Sequence, residues 1–300
     1  MALRSGGIPT FARAVEEVIT IHAGKWKPGG KSEESWRSSL EMYVLPAIGS
    51  KRVDEITTAD VMGCLEPIWH TKATTAKRIR QRIAAVMKWA AAQGYRADNP
   101  AGDAVTAALG KQNSGKKHHR ALPHRDVAAA FATVRASNAD PTVRLAFEFV
   151  VLTAVRSGEV RGAHWSEIDF DSATWVIPGE RTKSGSEHRV PLSDPALRVL
   201  GEARGNSDGS PLLFPRRTGG ELSHSMVSKL PGRVGIDGTL HGMRSSFRDW
   251  CGETGVAREV AEACLAHGIG TAAEQAYARS DLLTRRRAVM EAWGQYVSRS

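Results

Sequence analysis

From Thr10 onward the first third of the chain carries a helical period. Phe11, Ala14, Val15 and Val18 recur at the three- and four-residue spacing that places side chains on one face of a helix. A polar break at Lys27-Pro28-Gly29-Gly30-Lys31 ends that pattern. Ser32 stands where it can cap a second helix, with Glu33 and Glu34 at its positive end and Trp36, Leu40, Tyr43 and Val44 as its apolar stripe. Pro46 and Gly49 are expected to end it. Thr57 with Asp60 predicts a capping box opening a third helix through Val61, Leu65 and Ile68. A fourth helix is expected from about Thr74 to Gln93, stopped by Gly94, with Ile79, Ile83, Val86, Met87 and Ala90 facing inward.

The pattern then changes. Residues 106–121 are nearly devoid of apolar side chains after Leu109 and read as a basic linker. Beyond it, Val127, Phe131 and Val134 mark a helix, and Asp140-Pro141 caps another that is apolar nearly all round from Val143 to Leu152, the expected spine of a second domain. Thr174-Trp175-Val176-Ile177 and Glu187-His188-Arg189-Val190-Pro191 flank a Gly-containing turn and predict a β-hairpin with Lys183 near a mobile tip. Helices are expected to fill the remainder. The expected fold is mainly α with a small antiparallel β-sheet. Its parts are a flexible tail over 1–9, a helical domain over 10–105, the linker, and a mixed α+β domain over 122–300 with a C-terminal helical tail.

Charge sharpens this picture. Forty-one Lys and Arg stand against 32 Asp and Glu, a formal +9, which favours a polyanionic partner. Lys77, Arg78, Arg80, Arg82 and Lys88 surround the apolar stripe of the fourth helix with no acid between them, and Lys116 and Lys117 extend the cations into the linker. All seven are candidate DNA contacts. No stretch is long and apolar enough for a membrane span, and the N-terminus is too polar for a secretory signal, so a cytoplasmic location is expected. Cys64, Cys251 and Cys264 are odd in number and widely spaced, which predicts buried reduced thiols. Metal-ligand spacings and phosphate-binding glycine loops are absent from the sequence, so neither a metal nor a cofactor is expected.

The candidate chemistry lies in the second half. His241 and Arg244 stand one helical turn apart, so a phosphate there would meet an imidazole and a fork-shaped guanidinium. His267 and a lone tyrosine, Tyr277, follow. Earlier, Arg156 sits just past the apolar helix, in Thr153-Ala154-Val155-Arg156-Ser157-Gly158-Glu159. Taken in order, Arg156, Lys183, His241, Arg244, His267 and Tyr277 closely resemble the tyrosine recombinase (phage integrase) family, over essentially all of residues 120–300. The wording around these boxes is most similar to integrases of prophages and genomic islands. One departure is Ala154, where that family usually has glycine. Another is that the few residues before Thr10 are not expected to form the arm-type DNA-binding domain such integrases usually carry.

The resemblance implies that the first domain is a core-binding domain and that the second cleaves and rejoins DNA through a 3′-phosphotyrosine. Tyr277 would be the nucleophile, Arg156 and Arg244 the clamps on the phosphate, and His241 and His267 further donors, with His241 the proton acceptor. Lys183 would protonate the departing 5′ oxygen, and Glu159 would orient Arg156. Charge is then neutralised by side chains alone. The implied partners are double-stranded DNA at attachment sites, three further copies of the chain in a tetramer, a host DNA-bending protein and an excision factor. Two rival readings are a type IB topoisomerase-like nicking and closing enzyme and an inert DNA-binding protein.

Overall fold

The computed structural model describes residues 7–26, 30–112, 120–207, 209–268 and 281–299. The chain divides into two compact units, Met1–Lys117 and His118–Ser300, each with its own hydrophobic core.

The first unit contains α1 (Phe11–Ala23), α2 (Ser32–Tyr43), α3 (Leu45–Ile48), α4 (Thr58–Trp69), α5 (Ala73–Ala92) and α6 (Asp103–Leu109). Helix α5 is its axis: α1, α2 and α4 pack on it, and Ile79, Ile83, Val86, Met87 and Ala90 are buried. Its end is set by Gly94, whose positive φ of 79° lets Tyr95 N donate back to Ala90 O at 3.0 Å. The Thr57–Asp60 capping box is formed in both directions at the start of α4. Lys51, 2.6 Å from the Asp60 carboxylate, and the Thr57 amide bring that carboxyl down to about 2.

Several expectations change. Ser32 is the first residue of α2, and Lys31 before it provides no side-chain cap. Pro46 opens the short helix α3 in its first turn, where its missing N–H has no intrahelical acceptor to lose. The tail expected over 1–9 is tied at its end, because Val53 N donates to Pro9 O at 3.0 Å. The linker expected over 106–121 begins later. Val105 is buried, α6 runs to Leu109, Trp69 Nε1 donates to Gly110 O at 3.0 Å, and Gln112 Nε2 donates to Trp69 O at 3.1 Å. Residues up to Gln112 therefore belong to the first unit, because two apolar contacts and these hydrogen bonds outweigh the local polarity.

The second unit is built on α8 (Pro141–Thr153), preceded by α7 (Val127–Arg135). Asp140 caps α8 by accepting from Thr142 N and Val143 N, and the helix is buried on nearly every side. After α9 (Ser157–Arg161) comes an antiparallel sheet of three strands, β1 (Ile168–Asp169), β2 (Thr174–Ile177) and β3 (His188–Pro191), in that order. Trp175 pairs with Val190 and Ile177 with His188 across the hairpin. The two-residue strand β1 carries no periodic signal of its own. Among the described residues there follow helices α10 (Asp194–Gly205), α11 (His224–Ser228), α12 (Leu230–Arg233), α13 (Gly242–Glu253), α14 (Arg258–Cys264) and α15 (Leu283–Val297). Between α10 and α11 the described residues are not helical, contrary to expectation; they run through isolated bridges, His164 with Leu212 and Pro215 with Glu221.

Helix α15 docks on its own unit, against α8, α10, α14 and β3. Met290, Trp293 and Val297 are buried there, and Trp293 Nε1 donates to Val151 O at 2.8 Å. Its basic run serves the same docking: Arg285 pairs with Glu259, Arg286 donates to the carbonyls of Asp281 and Arg189, and Arg287 donates to those of Ser172 and Ala173. All three cysteines are free and buried, and burial pushes the Cys251 thiol up to about 12.

Candidate active site

The site starts where α8 ends. Ala154 takes a left-handed conformation (φ 52°, ψ 21°), a conformation an alanine adopts only at a cost and a glycine freely. That reversal brings Arg156 to the start of α9. Its backbone N–H donates to Glu159 Oε2 at 2.7 Å and its guanidinium to Glu159 Oε1 at 3.1 Å. Glu159 is 3% exposed and the Arg156 side chain 24%, so the carboxylate is an inner anchor and the guanidinium keeps an open face.

Arg244 lies in the first turn of α13, 6% exposed. Its guanidinium donates to Ala154 O, to Leu265 O at 2.8 Å and to His267 Nε2 at 3.3 Å. Burial, and then the nearby charge of Arg156, lower its pKa to about 10, which leaves it cationic at neutral pH. None of these three partners is a carboxylate. With Nε2 of His267 accepting, its Nδ1 carries hydrogen toward Glu262 Oε2 at 2.7 Å, and Glu262 also accepts from Arg248 Nε at 2.7 Å. Burial pushes the Glu262 carboxyl up, but the hydrogen bonds from Arg248 and His267 outweigh it and its pKa ends lowered.

His241 is exposed and directly precedes α13. The glycine after it is required by a close approach. A Cβ on Gly242 would lie 2.0 Å from Arg120 O, because the segment entering this unit crosses the helix end there, tied by Thr239 N to Arg120 O at 2.9 Å and Ser246 Oγ to Leu122 O at 2.6 Å.

Lys183 is exposed in the β2–β3 connection. The connection is a turn braced by internal contacts. Thr182 is buried and its hydroxyl donates to Ser186 O at 2.7 Å, while a Cβ on Gly179 would meet Gly185 O at 2.5 Å, so the two arms touch.

The structure thus brings Arg156, Arg244, Glu159 and His267 together, with Lys183 and His241 on the adjoining turn and helix start. Tyr277, Lys116 and Lys117 lie outside the described residues. In the first unit Lys77, Arg78 and Lys88 are exposed on α5. Arg80 and Arg82 are spent internally. Arg80 donates to Ala101 O at 3.0 Å and Gly102 O at 3.2 Å, and Arg82 donates to Ser35 O at 2.6 Å and to the Ser39 hydroxyl, stacked over Trp36. Among the described residues, no group of three or more His, Cys, Asp or Glu side chains is placed to hold a metal ion, and no helix is long and apolar enough to cross a membrane.

Three residues of this site lacked a signal in the sequence. Glu262 holds His267, Arg181 reaches Glu159, and His188 lies buried on β3 beneath the arginines. Burial, then the charges of Arg286 and Arg244, push the His188 imidazole down to about 3, so it is neutral, and its Nε2 has no hydrogen-bond partner among the described residues. A glutamate five residues before a histidine and an arginine two before a lysine are too common in helices and turns to stand out.

Residues 120–282 match the model of the phage integrase family, and residues 11–107 match that of the phage integrase central domain. The prophage integrase IntA of Escherichia coli (strain K12) is 33% identical over 274 residues, 89% of this chain and 65% of that protein. The integrase of Enterobacteria phage P4 is 30% identical over 279 residues, 86% of this chain and 63% of that one. The chain therefore spans somewhat less than two thirds of the length of these two relatives. The fold is similar to that of lambda integrase crystallised as a tetramer on a Holliday junction, with a TM-score of 0.69 at 20% identity over 88% of this chain and 79% of that one.

Proposed function

Since the chain belongs to the phage integrase family, we propose that it is a site-specific DNA recombinase, joining or releasing a mobile element through a covalent tyrosine intermediate. The observation that carries this reading is the buried Arg244 guanidinium. It is held by backbone carbonyls and a histidine, beside the second cation Arg156, and no carboxylate among the described residues is bonded to it. Two like charges so placed repel each other at a cost that an anion between them removes. A phosphodiester supplies that anion. Its non-bridging oxygens gain negative charge as the phosphorus is attacked, so preorganised donors stabilise the transition state more than the ground state.

In the proposed step the Tyr277 phenol oxygen attacks phosphorus and the bond to the 5′ oxygen breaks. His241 accepts the phenol proton, and Lys183 gives a proton to the leaving oxygen, producing a 3′-phosphotyrosine and a free 5′ hydroxyl. The reverse reaction on a new strand end rejoins DNA without a nucleotide, because the phosphotyrosine retains the bond energy. Glu159 and Glu262 fix the directions of Arg156 and His267.

On this reading Lys77, Arg78 and Lys88 meet the DNA backbone, Lys116 and Lys117 follow it, and Arg80 and Arg82 set the place of α5. The DNA-bound tetramer of lambda integrase supports four copies on paired sites. A host bending protein and an excision factor are part of the same proposal, as is action in the bacterial cytoplasm.

The test is a nicked duplex carrying the attachment site, incubated with protein and EDTA and run on a denaturing gel beside Tyr277→Phe. A protein–DNA adduct present only with the tyrosine is the expected result. Normal binding without an adduct on the authentic site would instead favour an inert DNA-binding protein. Adduct formation with relaxation but no exchange between paired sites would favour a topoisomerase-like enzyme.

A further inference from the structure

Lys183 stands on an exposed turn, yet a general acid must be held within hydrogen-bond reach of the atom it protonates. Among the described residues none holds the Lys183 side chain; the residue two positions earlier is held by several. The Arg181 guanidinium donates to Glu159 O at 3.2 Å and to the carboxylate of Glu167, which also accepts from Trp175 Nε1 at 2.9 Å. Glu159 is the residue whose carboxylate holds Arg156. One guanidinium therefore joins the base of the lysine turn to the anchor of the phosphate clamp, and ties both to β2 through Trp175. Gly162 leaves it room, since a Cβ there would lie 3.1 Å from Arg181 Nη1.

We propose that Arg181 is the positioning residue that sets Lys183 for proton delivery to the departing 5′ oxygen, an inference that rests on the recombinase reading above. Arg181 touches neither substrate nor reacting atoms. It acts through the backbone of the Gly179–Ser186 turn, whose two ends Thr182 and Gly179 already hold together. The fork of an arginine suits this role because a carbonyl and a carboxylate lie on two different edges of it.

The experiment compares single-turnover cleavage of two nicked duplexes, one with the natural 5′ oxygen and one with sulfur in that bridging position. A thiol ionises near pH 8.5, so the sulfur leaves as a thiolate without a proton, whereas an alkoxide does not. General-acid catalysis contributes roughly 10²–10⁴-fold. Arg181→Gln is expected to cleave the oxygen duplex about 10- to 100-fold more slowly than wild type and the sulfur duplex at near the wild-type rate, as Lys183→Ala does. Arg244→Ala should be slow on both. Arg181→Lys keeps the ion pair with Glu167 and serves if the glutamine variant does not fold; it should show the same oxygen-specific defect.

A folded, DNA-binding Arg181 variant that is equally slow on both duplexes, or as fast as wild type on oxygen, would overturn the proposal while Lys183→Ala still shows the rescue. If wild type forms no Tyr277-dependent adduct on either duplex, the recombinase reading itself has failed, and this inference with it.

Discussion

Burying a carboxylate costs free energy unless a partner compensates, and Glu148 is 1% exposed on α8 with Arg135 3.1 Å away. Burial outweighs that ion pair and raises its pKa to about 7. The folded state therefore holds this proton more tightly than the unfolded chain, whose carboxyl ionises near 4.5. The favourable contribution is complete below that unfolded value and is lost as the pH rises through about 7. A shift of this size corresponds to at most roughly 3–4 kcal/mol. Denaturant midpoints should fall between pH 5 and pH 8, and Glu148→Gln should flatten that dependence; an unchanged slope in the variant would exclude Glu148 as its source. Ala154 is a second residue under local strain. Ala154→Gly should be neutral or stabilising by up to about 1 kcal/mol, and Ala154→Val destabilising by about 1–3 kcal/mol, both by chemical denaturation. The left-handed turn that separates these outcomes was invisible in the residue itself; only the resemblance to a family with glycine there pointed at it.

Among the elements, α13 and α15 make the sharpest claims. Helix α13 presents Arg244 inward only because Gly242 lets the entering chain cross its end. Gly242→Ala should cost about 1–3 kcal/mol as an overpacked contact and slow cleavage by displacing His241 next door, read by thermal melting and the adduct assay together. Glu262→Gln on α14 leaves His267 less firmly aimed and should slow cleavage about 10- to 100-fold with little change in DNA binding. The sequence leaves helix α15, with its basic run Arg285, Arg286 and Arg287, open between docking on its own domain and, as the family resemblance implies, packing on a neighbouring copy. Its apolar residues are core of its own unit, and its arginines bind carbonyls and a carboxylate of that unit. Trp293→Ala should therefore destabilise by about 3–5 kcal/mol. Deleting 282–300 should unfold the second unit rather than spare its chemistry; a folded, cleaving deletion would return the tail to an assembly role.

At the scale of the whole molecule, the net charge of +9 and the exposed cations of α5 set the expected response to salt. Releasing the counterions of ~6–10 phosphates should cost roughly 10³–10⁵ in DNA affinity between 50 and 200 mM salt, and a flat titration would contradict any DNA-binding reading. Amino-acid order by itself determined the helical periods of the first unit, the Thr57 and Asp140 caps, the spine of the second unit and the β2–β3 hairpin, because these depend on neighbours within a turn or two. It also marked the six-residue constellation, since each box is local. Tertiary structure alone decided which charges remain available. Arg82 is spent on Ser35, 47 residues away, Arg181 on Glu159, 22 away, and Trp293 is fixed to Val151, 142 away. A guanidinium is equally cationic on a free face and inside a hydrogen-bonded strut. Its role is set by acceptors that only folding brings within reach.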